Sequence, residues 1–384
     1  MSSDPQKGFG PGRTGDSTRG RRKDWPVALP LFPPAIFPEP EIREAPPCEE
    51  APGRVWAILS AGERVQLTSE WKWDRALALY GELKRRVAQD RAPRTFQEDQ
   101  ALRAERRKVL SRLLLPVERG RAALRGGPQV GWLERAYGPE RRLLPFPDFL
   151  GLNGAWQWHL RGAPLPGLPW KLHPWYAAYF PTRTEHLVLF DRWLAESDLR
   201  RVRAAADAGC GAGALTLYLL KRLPREARVD AADLNPAALG GLAEDLRRYG
   251  LAERARLHQA DFFPKDTGPF DLIAINPPWI PGRPQSAIEA AVYYPPGFFE
   301  RFFSAAAERL APEGLLIVLF STFAREAGVA VENPIEMELD SGGRFVLAEK
   351  REAPVAPPRR RLAPWLRRIR GSERVQLWAL RKRP

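Results

Sequence analysis

The corner Asn276-Pro277-Pro278-Trp279 constrains this 384-residue chain more than any other stretch. It closes a short apolar run, Leu272–Ile275, which reads as a buried strand. Proline fixes its own φ at about −65° and pushes the residue before it into an extended conformation. Two in succession make Asn276 and Pro277 rigid, with the Asn amide oxygen and the Pro277 carbonyl at fixed positions. Trp279 adds a flat indole face beside those two acceptors. Such a corner suits a planar amine or amide, whose N–H groups meet the oxygens while its plane stacks on the ring. A plain strand ending in a Pro-rich turn uses the same residues, so the upstream sequence has to decide.

Upstream, Val202–Ala206 reads as a strand of the buried parallel type. It runs into Asp207-Ala208-Gly209-Cys210-Gly211-Ala212-Gly213, followed by a helix over Ala214–Leu223. Glycines let a backbone turn tightly and approach a ligand, and a helix N-terminus offers free N–H groups to a carboxylate. The G-x-G-x-G spacing differs from the dinucleotide G-x-G-x-x-G, which argues against NAD or FAD. The next strand, Arg228–Ala232, ends at Asp233-Leu234, where a carboxylate can accept both hydrogens of a ribose diol. Asn235-Pro236 opens another helix, Ala237–Tyr249. A third strand, Ala255–Gln259, leads to Asp261-Phe262, an acid for an adenine amino group and a ring for its face. Each Asp alone reads equally well as a loop carboxylate or helix cap. Three at successive strand ends, with the double-proline corner at the fourth, form one pattern.

Together DAGCGAG, DLNP, ADFF and NPPW resemble the class I S-adenosylmethionine-dependent methyltransferases of the amino-methylating branch. The resemblance is closest to the methyltransferase small domain proteins and the HemK/PrmC glutamine methyltransferases. FPTRTEH, residues 180–186, is similar to the lead-in those proteins place before their first strand. The likeness covers roughly residues 172–384 and implies S-adenosyl-L-methionine as cofactor, with no metal. By position, Asp207, Ala208, Gly209, Cys210, Gly211 and Gly213 would hold its methionine end, Asp233 and Leu234 the ribose, and Asp261 and Phe262 the adenine. Asn276 would border the cofactor and, with the Pro277 carbonyl, bind the acceptor nitrogen; Trp279 would stack on its plane. The implied fold is α/β: a seven-stranded, mostly parallel Rossmann-like sheet with helices on both faces and an antiparallel final hairpin. Leu315–Phe320, Arg344–Glu349 and Val375–Leu380 supply its last three strands. Trp279 departs from the usual Tyr or Phe, which leaves the chemistry intact and the acceptor open.

Ahead of this domain the periodicity is helical. Ala76, Leu79, Tyr80, Leu83 and Val87 share one face, and Leu102, Val109, Leu110, Leu113 and Leu114 another. A last helix spans Phe146–Leu160, with Trp156 and Trp158 in the core. The expectation is an all-α N-terminal domain over 54–165, the linker APLPGLP, and the methyltransferase domain over 172–384. Residues 1–53 fall outside both: 1–24 lack periodicity and should be disordered, and nine prolines from Pro26 to Pro52 make an extended linker. Cys48 and Cys210 are the only cysteines, giving neither a disulfide framework nor a zinc pattern. The apolar run Leu315–Phe320 is too short to cross a bilayer. A soluble, cytoplasmic protein is expected, with no membrane partner.

The net charge of +14 sits on the flanks of the chain, and the middle is close to neutral. Residues 101–142 carry 11 basic and 4 acidic side chains. Arg359, Arg360, Arg361, Arg367, Arg368 and Arg370 cluster between the last two strands. These faces fit a nucleic-acid backbone, or they are solvated surface in an Arg-rich chain. Ile280–Pro296, with Arg283, Tyr293 and Tyr294, is a candidate lid. His159, His173, His186 and His258 are scattered and read as structural. The function expected first is N-methylation of an exocyclic amino group in a nucleic acid, RNA before DNA. The alternatives are a glutamine amide of a translation-related protein, and a non-catalytic binding module that keeps the cofactor fold.

Overall fold

The structure, a computed structural model, describes residues 37–40, 44–48, 51–89, 91–284, 286–356 and 362–383. The tract expected to be disordered (1–24) and Arg359–Arg361 lie outside the described residues.

The N-terminal domain opens with helix Pro52–Ser60, strand β1 (Val65–Gln66) and helices Trp73–Ala88 and Phe96–Leu110. Helix 73–88 buries Ala76, Leu79, Leu83 and Val87, the predicted stripe. Thr95 caps helix 96–110 by accepting the Glu98 N–H at 3.2 Å. That helix stops at Leu110, so Leu113 and Leu114 do not extend its face as expected. They open β2 (Leu113–Glu118), which pairs with β1, with β3 (Arg121–Ala122) and with β4 (Arg142–Pro145). The domain is therefore helical around a small four-stranded sheet. The cause is local: Leu113-Leu114-Leu115 is buried throughout, and Pro116 cannot continue a helix. Phe37 and Cys48, from the Pro-rich lead-in, are buried in the same core. Helix Phe146–Arg161 follows; Trp156 packs on Trp132, whereas Trp158, expected in the core, is 43% exposed and lies against Phe180.

The ribbon β5 (Ala163–Pro164) with β6 (Lys171–Leu172) leads to Trp175, which fastens the two domains. Its indole belongs to the N-terminal core yet presses on helix Pro236–Arg248 of the second domain. A Cβ on Gly240 would come within 2.7 Å of that ring, so the helix admits the indole only because glycine stands there.

The second domain begins at helix Glu185–Glu196; Thr184 holds its N-cap position, but the hydroxyl makes no cap bond. Helices follow β7 (Ala204–Ala208) and β8 (Arg228–Ala232), whereas β9 (Ala255–His258) and β10 (Phe270–Ile275) are joined by a loop. The short β11 (Ile280–Pro281) and β12 (Tyr293–Tyr294) come next, then β13 (Leu310–Ser321), β14 (Phe345–Pro354) and β15 (Arg374–Lys382). The sheet order is β14-β15-β13-β10-β7-β8-β9, and β15 runs antiparallel to both neighbours. This is the expected seven-stranded architecture with its final antiparallel pair. Side chains alternate between two cores: Ala205, Leu272, Ala274 and Ile317 meet helices 185–196 and 214–222, and Ala206, Ile273, Ile275 and Val318 meet helix Phe298–Arg309. The strand order reverses between β7 and β10, which opens a crevice at their C-terminal ends.

His186 and Asp207 are among the ionisable groups buried in this frame. Burial lowers His186 to about 4, and burial pushes Asp207 up to about 7 against the pull of its Thr216 hydrogen bonds. Between about pH 6.5 and 4 the unfolded chain takes up the His186 proton first, so that group costs stability as the pH falls. Asp207 runs the other way: its ionised form is disfavoured in the fold, so its penalty is full above about pH 7 and fades towards pH 4. Relative to the unaltered chain, His186→Leu should gain up to about 3 kcal/mol between pH 6.5 and 4. Asp207→Asn should lose its relative advantage over the same range. Urea midpoints across pH check both; curves parallel to that of the unaltered chain would remove the assignment.

Candidate active site: two clefts with a common wall

A cleft of about 340 Å³ lies at the C-terminal ends of β7, β8 and β10. Of the predicted residues, Ala208, Gly209, Gly211, Asp233, Leu234, Asp261, Phe262 and Asn276 line it. Asp207, Cys210 and Gly213 do not; they shape the loop from behind. Asp207 Oδ2 accepts the Thr216 N–H (2.8 Å) and hydroxyl (2.6 Å), pinning the start of helix Ala214–Arg222, while Oδ1 is buried without a partner. The Cys210 N–H donates to the Ala232 carbonyl at 2.9 Å, and burial pushes its thiol well above the ordinary value. Gly213 has φ +92°, and a Cβ there would strike Leu242 at 2.3 Å.

Gly209, at φ +68°, has nothing within 4 Å of a would-be Cβ, so the floor of the cleft is open to a ligand. Asp233 ties the glycine loop to β8: Oδ2 accepts the Gly211 N–H and Oδ1 the Asn235 N–H, both at 2.8 Å. Burial raises its pKa and those two bonds oppose the rise. Each carboxylate oxygen keeps a second lone pair for a diol. Asp261 is exposed, 3.6 Å from Arg301. Phe262 has φ +62°, rare for an aromatic residue, and its ring stands edge-on to Phe298 and Phe302. Ala177, at φ +63°, lines the same cleft, so backbone strain gathers here. An open glycine floor, a carboxylate one strand over and an aromatic beside the next fit S-adenosylmethionine.

On the other side of the corner lies a larger cleft of about 1350 Å³, walled by helices 73–88 and 96–110 of the N-terminal domain. Tyr179, Pro277 and Ala291 line both clefts. Asn276 borders the smaller one and Trp279 the larger, so the corner is the partition between them. Asn276 Oδ1 is buried and has no partner. The Tyr179 hydroxyl lies beside the Asn276 side chain, which acts on it electrostatically. Burial raises the Tyr179 pKa, and the neighbouring Asn276 side chain opposes the rise. Trp279 donates from Nε1 to the Leu319 carbonyl at 3.4 Å and meets His186 edge-on, centroids 5.2 Å apart at 87°.

Sequence reasoning missed Tyr179, which directly precedes the FPTRTEH lead-in. It assigned His186 to structure; the imidazole is indeed buried, but it borders the larger cleft and both ring nitrogens lack partners. His159, His173 and His258 are held in local hydrogen bonds and line neither cleft. The expected lid is folded: β11 pairs with β12, and Gln100 of helix 96–110 donates to the Tyr293 hydroxyl. Phe96 meets Phe323 and Trp365 at 6.0 and 6.2 Å, closing the far side of the cleft. Arg370, from the predicted basic cluster, is occupied by Glu373 and the Phe323 ring; Arg367 and Arg368 are exposed. Among the described residues no helix is long and apolar enough to cross a membrane, and no group of three His, Cys, Asp or Glu could hold a metal ion.

Residues 191–332 match the family described as methyltransferase small domain. Over 77 residues the chain is 48% identical to a release factor glutamine methyltransferase of Moorella thermoacetica, covering 20% of this chain and 27% of that protein. Over 165 residues it is 33% identical to the protein of the same name from Bradyrhizobium diazoefficiens, covering 38% and 55%. It is also 33% identical over 95 residues to a tRNA1(Val) (adenine(37)-N6)-methyltransferase of Yersinia pestis, covering 24% and 37%. The chain thus spans about half the length of these relatives or less. With the strand order and the crevice already described, the match places residues 191–332 in the methyltransferase small domain family, within a class I S-adenosylmethionine-dependent methyltransferase fold.

Proposed function

We propose that this chain methylates a side-chain amide nitrogen of a protein, a glutamine N5 in a translation-related partner. The observation that carries the reading is the buried, unpartnered Oδ1 of Asn276, set in a partition between a cofactor cleft and an acceptor cleft. Bound S-adenosylmethionine supplies an electrophilic methyl group on a sulfonium centre. The chain supplies position and charge. An amide nitrogen is a poor nucleophile because its lone pair is delocalised into the carbonyl. Asn276 Oδ1 and the Pro277 carbonyl accept its two N–H groups, turn it out of that conjugation and stabilise the positive charge that develops on it. Tyr179, beside the Asn276 side chain, lines both clefts at this partition. Trp279 stacks on the acceptor plane, fixing the line of approach. The open Gly209 backbone makes room for the methionine end of the cofactor, Asp233 accepts the ribose diol, and Phe262 covers the adenine.

The amide is preferred to a base amine because two of the relatives above carry glutamine methyltransferase names. Asp99, Asp148 and Glu289 also border the acceptor cleft, where they oppose a phosphate backbone. The second reading, a base amino group in RNA, is favoured by the adenine-N6 relative and by the basic side chains around the cleft. The non-catalytic module is disfavoured by the intact corner.

Whole-cell extract incubated with radiolabelled S-adenosylmethionine should yield label that protease releases and nuclease does not. Release by nuclease transfers the assignment to the base. Asn276→Ala should lower turnover by about 10²–10³-fold in a folded chain, and unchanged turnover removes its role. Asp233→Ala should weaken cofactor binding by about tenfold by calorimetry; unaltered binding takes Asp233 out of the site.

A further inference from the structure

Basic side chains stand on both walls of the larger cleft, and most are already neutralised. Arg103 is paired with Asp99 at 2.7 Å, Arg107 with Asp148 at 3.5 Å, Arg183 with Glu185 at 2.8 Å, and Arg370 with Glu373. Lys84 and Arg106 differ. They line the cleft from the adjacent helices 73–88 and 96–110, and among the described residues neither makes an ion pair or hydrogen bond. The Nε of Arg106 is buried without any partner. A guanidinium N–H removed from water and left unpaired carries its full desolvation cost, so its geometry points to an absent acceptor. Tyr80 lies one turn before Lys84 on the same helix, lines the same cleft, and feels the charge of Arg106 at its hydroxyl.

We propose that Lys84, Arg106 and the Tyr80 hydroxyl form an anion subsite that takes a carboxylate side chain of the same protein whose amide is methylated. The assignment rests on the proposed function and deepens it: the acceptor carries an acidic residue near its glutamine. Asp148 decides between a carboxylate and a phosphate. It lies beside the subsite, acting on the Tyr80 hydroxyl and pairing with Arg107. With Asp99 farther along the same wall, it would repel the successive phosphates of a nucleic acid. A single carboxylate brings one charge to Lys84 and Arg106, and Arg107 offsets the Asp148 charge beside it.

The test uses the intact chain labelled with ¹⁵N, and glutarate as the probe. The Arg106 Nε–H resonance is assigned by its absence in Arg106→Lys. It should shift saturably as glutarate is added while the resonances of exposed Arg367 and Arg368 stay in place. Lys84→Gln should raise the apparent Kd about fivefold, and Tyr80→Phe, which keeps the ring packing, should raise it by a smaller factor. A resonance that does not move, or that drifts in step with every exposed arginine, overturns the subsite. Inorganic phosphate saturating at lower concentration than glutarate overturns the carboxylate assignment in favour of a phosphate-bearing partner such as RNA. No turnover is measured, so a silent Arg106 removes the subsite alone, whereas label appearing only in nucleic acid removes the proposed function.

Discussion

The buried oxygen of Asn276 depends on backbone stiffness. β10 is hydrogen-bonded on both sides, to β7 and β13, so the residue leaving it starts from a fixed point. Pro277 and Pro278 then remove the rotational freedom with which an ordinary loop would turn the amide towards water or a neighbour. The polar group stays unsatisfied because the chain around it cannot relax. Such a group costs stability, and it persists where a ligand completes it. The whole site can be read outward from that oxygen: one cleft on each side, with Tyr179, Pro277 and Ala291 as their common boundary.

Much of the second domain was legible in the sequence because its strands are buried on both faces. Runs such as Leu272–Ile275 carry no competing period, and each ends in a residue whose chemistry is wanted at the same rim of the sheet. Asp233, Phe262 and Asn276 are therefore found where their spacing put them. Asp207 does not line the cleft, for a physical reason. Side chains alternate across β7, so the residue before Ala208 and Gly209 faces the helix at Thr216, away from the cleft. Trp279, expected against the plane of the acceptor, lies past the partition in the larger cleft.

The N-terminal domain was less legible. Leu113-Leu114-Leu115 continues a helical stripe if only every third or fourth residue is counted, and Pro116 was the signal that it could not. The larger cleft was invisible at that level, because its walls join helices 73–88 and 96–110 to residues some two hundred positions away. Nothing local marks Lys84 and Arg106 as different from the arginines around them. The difference lies in which neighbours fold back to neutralise a charge, and that is settled only by tertiary packing.

The Trp175 indole resting on Gly240 has a consequence for how such a molecule can diverge. Helix 236–248 begins at the residues that cradle the smaller cleft, and its middle is the bearing on which the N-terminal domain sits. Any side chain larger than hydrogen at position 240 would drive into the Trp175 ring, so either the indole or helix 236–248 would have to shift. The notch at Gly240 is thus matched to one ring, and a grafted N-terminal domain would seat there only by carrying a side chain of that shape.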